Sequence, residues 1–432
     1  MRLGSVAGVI GSLPPNRLLG VPLAVLRDPL GRFNLATFFL SLTIYSPILV
    51  LYYTGRGLSL FQVLSLEAFM GLATILLEVP TGVVADRIGL KRSVTLGFFF
   101  QAVWVGLLAL AQEYWQFLAG YAVLGMAISF RSGASEAWIY ETLKARGEEH
   151  RMSQAHGAFW AASLAGRMTS AVLAALVVRE MSEPSFVLAL ELSAAAMLLG
   201  TVLVLTVPNR QTEAELARQR GSLRLVRDGI RLIRAHPALR RIVALSVLAD
   251  PLPYALLFLF QPYYQLAGTP AALYGLSSAA AAALGALGAR SAFGLERRLG
   301  ALRAFVLANL LPVAGHLAMA GLAGPYLAPL LFLMTYGAMQ IRYPLIAALQ
   351  NRHIASYNRA TTISVVSMLE GAHALAMKLV AGYLADIDLR LAFGFLALVP
   401  LVAVIRFPLK VEQLESQELS AVEGSDDPRN DD

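Results

Sequence analysis

The chain has 432 residues, 57% of them hydrophobic and only 15% charged, with a mean hydropathy of +0.62. Soluble domains carry about 25% charged residues, so this much apolar side chain exceeds what a water-soluble core hides, and the bilayer is the expected solvent. The absence of cysteine excludes disulfides, thiolate chemistry and zinc–thiolate sites. The net charge of +7 is spread along the chain rather than gathered on one soluble domain, so no nucleic-acid partner is expected.

Residues 1–33 are expected to form a cytoplasmic segment. Its apolar run, Val6–Leu13, ends at Pro14-Pro15; it is too short to span and lacks a clear cleavage site, so no signal peptide is expected. A spanning helix needs about 20 mostly apolar residues. Twelve such stretches follow: Asn34–Thr54, Leu60–Ala85, Ser93–Ala111, Trp115–Thr142, Met152–Val178, Pro184–Val207, Ala238–Leu266, Ala271–Ala292, Leu302–Leu322, Pro325–Leu349, Tyr357–Ala385 and Leu389–Phe407. The expected fold is an all-α integral membrane protein with twelve transmembrane helices.

Basic residues alternate between the connecting loops. Arg2, Arg17, Arg27 and Arg32 precede the first stretch. Arg87, Lys91 and Arg92, then Lys144, Arg146 and Arg151, then the central linker, then Arg290, Arg297, Arg298 and Arg303, then Arg352 and Arg359 mark the same side. The opposite loops carry only Arg56, Arg179 and Arg390. Cytoplasmic loops are enriched in Lys and Arg, so both termini are expected in the cytoplasm, with the protein in a bacterial-type cytoplasmic (inner) membrane.

The linker, Pro208–Pro237, divides the chain into an expected bundle at residues 34–207 and another at 238–407. Within the linker, Leu223, Val226, Ile230 and Ile233 recur at helical spacing, each followed by an arginine: Arg224, Arg227, Arg231 and Arg234. That pattern is an amphipathic helix suited to an anionic leaflet, or a solvated helix packed on the protein itself. The tail, 408–432, is acidic and expected to be disordered and cytoplasmic.

The two halves share a register. Arg131 and Arg342 stand 211 positions apart, as do Arg167 and Lys378, Gly89 and Gly300, Arg87 and Arg298, and Arg92 and Arg303. One offset therefore aligns three separate regions, the sign of a duplicated six-helix unit and of two pseudo-symmetric bundles. Arg297 stands where the repeat calls for Asp86, so the second-half loop is degenerate.

The loop after the second stretch reads Gly82-Val-Val-Ala-Asp86-Arg87-Ile-Gly89-Leu-Lys91-Arg92. Gly82, Asp86, Arg87, Gly89, Lys91 and Arg92 resemble the signature loop of the major facilitator superfamily of transporters, G-x-x-x-D-R-x-G-R-[KR]; Leu90 departs from it. Glu78–Thr81 and Ser132–Leu143 resemble the drug- and metabolite-exporter branches. The resemblance implies two bundles rocking about a central cavity lined by helices 1, 4, 7 and 10. It also implies a gate in which Asp86 caps or pairs across the bundle interface while Arg87 and Lys91 or Arg92 pair with acids such as Glu141. Service as topology anchors is the alternative for the three cations.

Charges at membrane depth cost several kcal/mol and mark cavities or partners. The mid-helix cations are Arg131, Arg167, Arg342 and Lys378; the acids are Glu67, Glu78, Glu136, Glu191, Asp250 and Glu370. Arg131 and Arg342 are candidates for holding an anionic group bidentately, with structural ion pairs as the alternative. Thr37, Ser41 and Tyr45, four apart on helix 1, and Asp250, Tyr254, Gln261 and Gln265, which share one face of helix 7, are further candidate cavity residues. Asp250, followed by Pro251 and Pro253, is a candidate proton carrier at a broken helix. Glu370 and His373, with Lys378 nearby, form a second candidate, and Glu136 a third; a satisfied structural cluster is the alternative. His316 stands alone and is expected to pack.

No Walker loop and no metal-ligand spacing is present, so neither an enzyme nor a cofactor is expected. The expected function is proton-coupled export, by antiport, of a small organic or amphipathic compound, an anionic one among the candidates. Import or symport of an organic anion, lipid flipping, and a transporter-like receptor are the alternatives. The expected partners are the substrate, protons or another coupling ion, and membrane lipids, with the protein a monomer.

Overall fold

The computed structural model describes residues 17–18, 21–22, 26–178, 180–209, 231, 233–234, 237–249, 252–321, 323–353 and 359–408. Asp250, most of the linker with its expected amphipathic helix, and the acidic tail lie outside the described residues. A two-residue antiparallel pair, β1 (Arg17–Leu18) with β2 (Val21–Pro22), precedes fifteen described α-helices. The first half contains α1 (Pro29–Leu40), α2 (Leu49–Gly55), α3 (Leu60–Ile88), α4 (Leu90–Leu110), α5 (Tyr114–Arg131), α6 (Ala134–Lys144), α7 (Met152–Val177) and α8 (Glu183–Leu205). The second contains α9 (Pro237–Ala249), α10 (Leu252–Leu266), α11 (Ala271–Leu299), α12 (Ala301–Gly321), α13 (Leu327–His353), α14 (Arg359–Ile387) and α15 (Leu389–Arg406).

Local chemistry starts and stops these helices. Asp28 caps α1 by accepting from Gly31 N at 3.1 Å. Ser59 and Gln62 form a reciprocal capping box at α3, and Glu113 with Gln116 does so at α5. Gly89 joins α3 to α4 at φ 96°, and Gly300 joins α11 to α12 at φ 79°. Both conformations are ones a Cβ resists. α3 and α11 are each 29 residues long, and α4 and α12 each 21, in the register that the sequence repeat sets. The duplication is therefore structural as well as sequential.

Two stretches expected to be continuous are each made of two helices, the first (α1, α2) and the fourth (α5, α6); in the seventh, α9 and α10 flank residues 250–251, which lie outside the described residues. The first breaks at Ser41–Ile48, where Pro47 lacks an amide proton. Unwound backbone at membrane depth must be satisfied inside the protein. Here Ile44 N donates to Ser193 Oγ at 2.9 Å, while Val50 N donates to Gln261 Oε1 at 2.7 Å. The fourth turns at Ser132-Gly133.

Among the described residues, eight helical stretches are long and apolar enough to cross a membrane, and the bent α11, turning by 52° between Ala271–Gly285 and Arg290–Leu299, makes a ninth. The first stretch falls outside that set because it is divided into short helices, and the seventh because its described parts, α9 and α10, are 13 and 15 residues long. The tenth falls outside because Gln340 and Arg342 dilute the apolar run of α13. Large apolar side chains such as Leu110, Phe293 and Ile405 are exposed on the outer surface, as lipid-facing helices require.

Within the first bundle, α5 packs on α3 and α4, and α8 on α1 and α4; within the second, α11 packs on α13, and α12 on α13 and α15. The bundles meet along two seams, α3 against α14 and α7 against α11. On the side of the poorly charged loops the seam is closed. Gln261 of α10 donates to Ser46 O at 3.0 Å as well as accepting from Val50 N, so one amide of the second bundle stitches the broken helix of the first. Beneath it Tyr52, Tyr53, Tyr121, Tyr263 and Tyr264 are fully buried.

Candidate functional site

Between the bundles lies a cavity of about 870 Å³, lined by both halves. Its closed end is formed by Ser46, Pro47, Leu49 and Gln261. It extends toward the basic-loop side as far as Trp160, which lines it and is 53% exposed. Phe98, Phe159, Phe258 and Tyr336 add aromatic surface. Ser41 and Ser163 line it as a hydrogen-bonded pair, Oγ to Oγ 2.9 Å, and Thr37 returns its hydroxyl to Phe33 O at 2.9 Å.

Glu67, Arg131 and Arg167 are the charged residues on the described wall. Arg131 ends α5, with its guanidinium carbon 6.0 Å from the Phe98 ring centroid. Its Nε is buried without a hydrogen-bond partner, and among the described residues it has no ion pair. Arg167 faces the same space from α7 and is an electrostatic neighbour of Arg131. Glu67 of α3 is held differently: its Oε2 lies 3.7 Å from Lys378 Nζ of α14, and both side chains are nearly buried. Tyr45, Tyr53 and Tyr121 surround Glu67, with the hydroxyls of Tyr53 and Tyr121 2.9 Å apart.

The other residues singled out from the sequence fall in several places. Tyr45 is buried, edge-on against Trp104 with centroids 5.7 Å apart, rather than on the cavity wall. Gln261 lines the closed end, and Gln265 is exposed near the end of α10. The side chains of Asp86 and Tyr254 lie outside the description. Arg342, the repeat partner of Arg131, is not on the cavity wall. It is buried, and its Nη2 donates to Ser246 O at 3.5 Å. Ser246 Oγ donates to Glu370, and His373 hydrogen-bonds to the backbone at Leu248. Arg342, Ser246, Glu370 and His373 therefore gather where α9, α13 and α14 meet inside the second bundle. Glu136 sits at the mouth, exposed, with His156 Nε2 3.2 Å away; the same nitrogen is 3.1 Å from Trp160 Nε1. His316 is fully buried and donates from Nδ1 to Pro312 O at 2.7 Å.

In the signature loop Gly82 lies on the exposed last third of α3, Arg87 and Arg92 are exposed, and Gly89 makes the turn. Lys91 Nζ donates to Leu205 O at 2.8 Å and Arg32 to Thr206 O at 2.6 Å. Two cations thus serve the carbonyl end of α8, where the helix dipole favours them. Glu141 is half-buried on α6.

What spacing alone did not reveal is the pairing of Glu67. The sequence marks it as one of six mid-helix acids; only the packing of α3 on α14 brings Lys378 to it.

The duplicated helical bundles and the charged cavity between them define a membrane transporter. A sequence profile of the Major Facilitator Superfamily matches residues 33–375, and the chain belongs to that family. A stretch of 107 residues is 33% identical to the uncharacterized MFS-type transporter YxaM of Bacillus subtilis (strain 168), covering 23% of this chain and 25% of that relative's length. Among solved structures, a mutant of the nucleoside transporter NupG superposes with a TM-score of 0.74 at 12% identity, covering 88% of this chain and 99% of that one. A bacterial homolog of the human lysosomal transporter Spinster, inward-facing and unoccupied, superposes at 0.71 with 13% identity, covering 91% and 97%. At such identities these likenesses speak to the fold.

Proposed function

We propose that this chain is a secondary active transporter that moves a small organic anion across the cytoplasmic membrane by alternating access coupled to protons. The observation that carries the reading is the Arg131 guanidinium on the cavity wall, its buried Nε without a hydrogen-bond partner, with Arg167 beside it. A cation at membrane depth without an acid is costly, and an anionic group from a ligand supplies the missing partner. Guanidinium forks match carboxylate or phosphate geometry. The aromatic wall formed by Phe98, Phe159 and Phe258 suits the apolar body of an amphipathic compound. The alternation of basic loops supports an open end of the cavity facing the cytoplasm, an inward-facing arrangement.

Export by proton antiport is the direction that the Glu78–Arg92 and Ser132–Leu143 segments favour. A second reading, uptake of the anion together with a proton, is supported by the two cavity arginines, because a proton entering with an anion leaves their field unopposed for the substrate. In vesicles loaded with benzenesulfonate, which stays ionised, an acid exterior should drive efflux under the first reading; accumulation under the same gradient selects the second.

Thermal unfolding of the detergent-solubilised protein with benzoate, benzenesulfonate, uridine and tetraphenylphosphonium tests the substrate class. Stabilisation by the anions that disappears in Arg131→Ala is the expected result. Stabilisation by tetraphenylphosphonium alone, unaltered in Arg131→Ala, would refute it.

A further inference from the structure

The seam between α3 and α14 is joined at three levels by residues four apart on one face of α14: Lys378, Gly382 and Asp386. At the closed end Asp386 accepts from Leu60 N at 2.6 Å and Phe61 N at 3.1 Å. A carboxylate of one bundle thereby satisfies the free amides of the other bundle's first turn. One turn inward, a Cβ on Gly382 would stand 2.9 Å from Phe61 Cα, so only glycine lets the two backbones meet. Innermost is the Lys378–Glu67 pair, whose acid also lines the cavity. At 1.5 Å per residue, Glu67 lies about 10 Å in from the first residue of α3.

We propose that Glu67 is the proton-binding carboxylate of the transport cycle, and that its protonation loosens Lys378 and lets α3 part from α14 at the closed end. This rests on the proton-coupled reading above. A coupling acid must meet water from one side of the membrane at a time. Glu67 meets it now through the cavity, and separation of α3 from α14 would present it to the opposite side. Glu370 holds Ser246 inside the second bundle, and Glu136 lies exposed at the mouth beside His156, so neither bridges the bundles. In the step itself a proton from water adds to the Glu67 carboxylate; Lys378 remains an ammonium ion and loses its attraction to that acid.

The groups facing Glu67 are Lys378 from α14, Tyr53 from α2, Tyr121 from α5 and Tyr45 from the turn before α2. α4, also packed on α3, turns Gln101 to the cavity. Lysine and tyrosine already hold their protons at neutral pH in water, so the carboxylate is the member of this cluster with a site to take one.

The chain has no cysteine, so spin labels can be placed at Gln112→Cys and Ile387→Cys. Both are exposed residues at the closed end, on opposite bundles. Pulsed electron paramagnetic resonance on the full chain in lipid nanodiscs reads their separation. The expected result is a short separation at pH 8 and a gained longer population at pH 5, with Glu67→Gln showing the longer population at both. Lys378→Gln, which removes the same attraction, should likewise show the longer population at both, and Glu67→Asp should retain the transition. A Glu67→Gln protein that keeps the pH response, a Lys378→Gln protein with an unaltered transition, or an unsubstituted pair of labels that ignores pH overturns the proposal. No organic anion is present, so anion binding lost or kept through Arg131 is judged separately.

Discussion

Gln261 spans the broken first helix from the opposite bundle, accepting from Val50 N at 2.7 Å and donating to Ser46 O at 3.0 Å. A single neutral side chain thus satisfies a donor and an acceptor that the Ser41–Ile48 break leaves without helical partners. The contact lies at the wall between the cavity and the closed end, so local backbone chemistry and the state of the transporter are joined there.

Replacing Gln261 by leucine leaves both backbone groups buried and unpaired, at about 1–3 kcal/mol each. Gln261→Leu should therefore lower the unfolding temperature and raise labelling of a Val50→Cys variant by a membrane-impermeant maleimide. Gln261→Glu keeps the acceptor for Val50 N and should lose less. Unaltered stability and labelling in Gln261→Leu would show that the stitch carries no weight.

Arg131→Ala should abolish stabilisation by benzoate, and Arg131→Lys should weaken it by about 10-fold or more, since a point charge replaces a fork and a charge-assisted hydrogen bond contributes about 1.5–3 kcal/mol. Isothermal titration with benzoate checks the ratio. Equal affinity for the lysine variant would mean the site reads charge alone.

Arg342→Ala should behave in the opposite way. Its guanidinium is buried against Ser246, whose hydroxyl serves Glu370. Removing it should cost about 1.5–3 kcal/mol of stability while leaving Arg131-dependent anion binding intact. A loss of benzoate binding with unchanged melting temperature would return Arg342 to the cavity.

Tyr53 and Tyr121 share a hydrogen bond of 2.9 Å beside Glu67. Tyr53→Phe should cost about 1 kcal/mol, seen in chemical denaturation. A larger effect on the pH-dependent separation at the closed end than on stability would place this pair in the coupling machinery.

Much of the fold is legible along the chain. The run of apolar stretches, the alternation of basic loops and the register linking Gly89 to Gly300 follow from bilayer thickness, from the bias of positive charge and from duplication, all of which leave local marks. The breaks were partly legible: Pro47 and Gly133 stand at two of them, but whether a proline kinks or divides a helix depends on what can satisfy the freed amides. For the first helix that partner is Gln261, 211 positions away from Val50.

The candidate site divides the same way. The sequence by itself marked a multi-span membrane protein with charges held at depth, because charge in an apolar stretch stands out locally, and the Gly82–Arg92 loop carried its resemblance to transporters. Which charges face the cavity was decided only by tertiary structure. Arg131 and Arg342 are equivalent in the repeat, yet one borders the cavity unpaired and the other is buried near Ser246. Glu67 and Lys378 carry no local signal of one another; they meet because α3 and α14 close a seam between bundles folded from opposite halves of the chain. Helical periodicity sets which residues share a face, whereas the partner of that face is chosen by how the bundles pack.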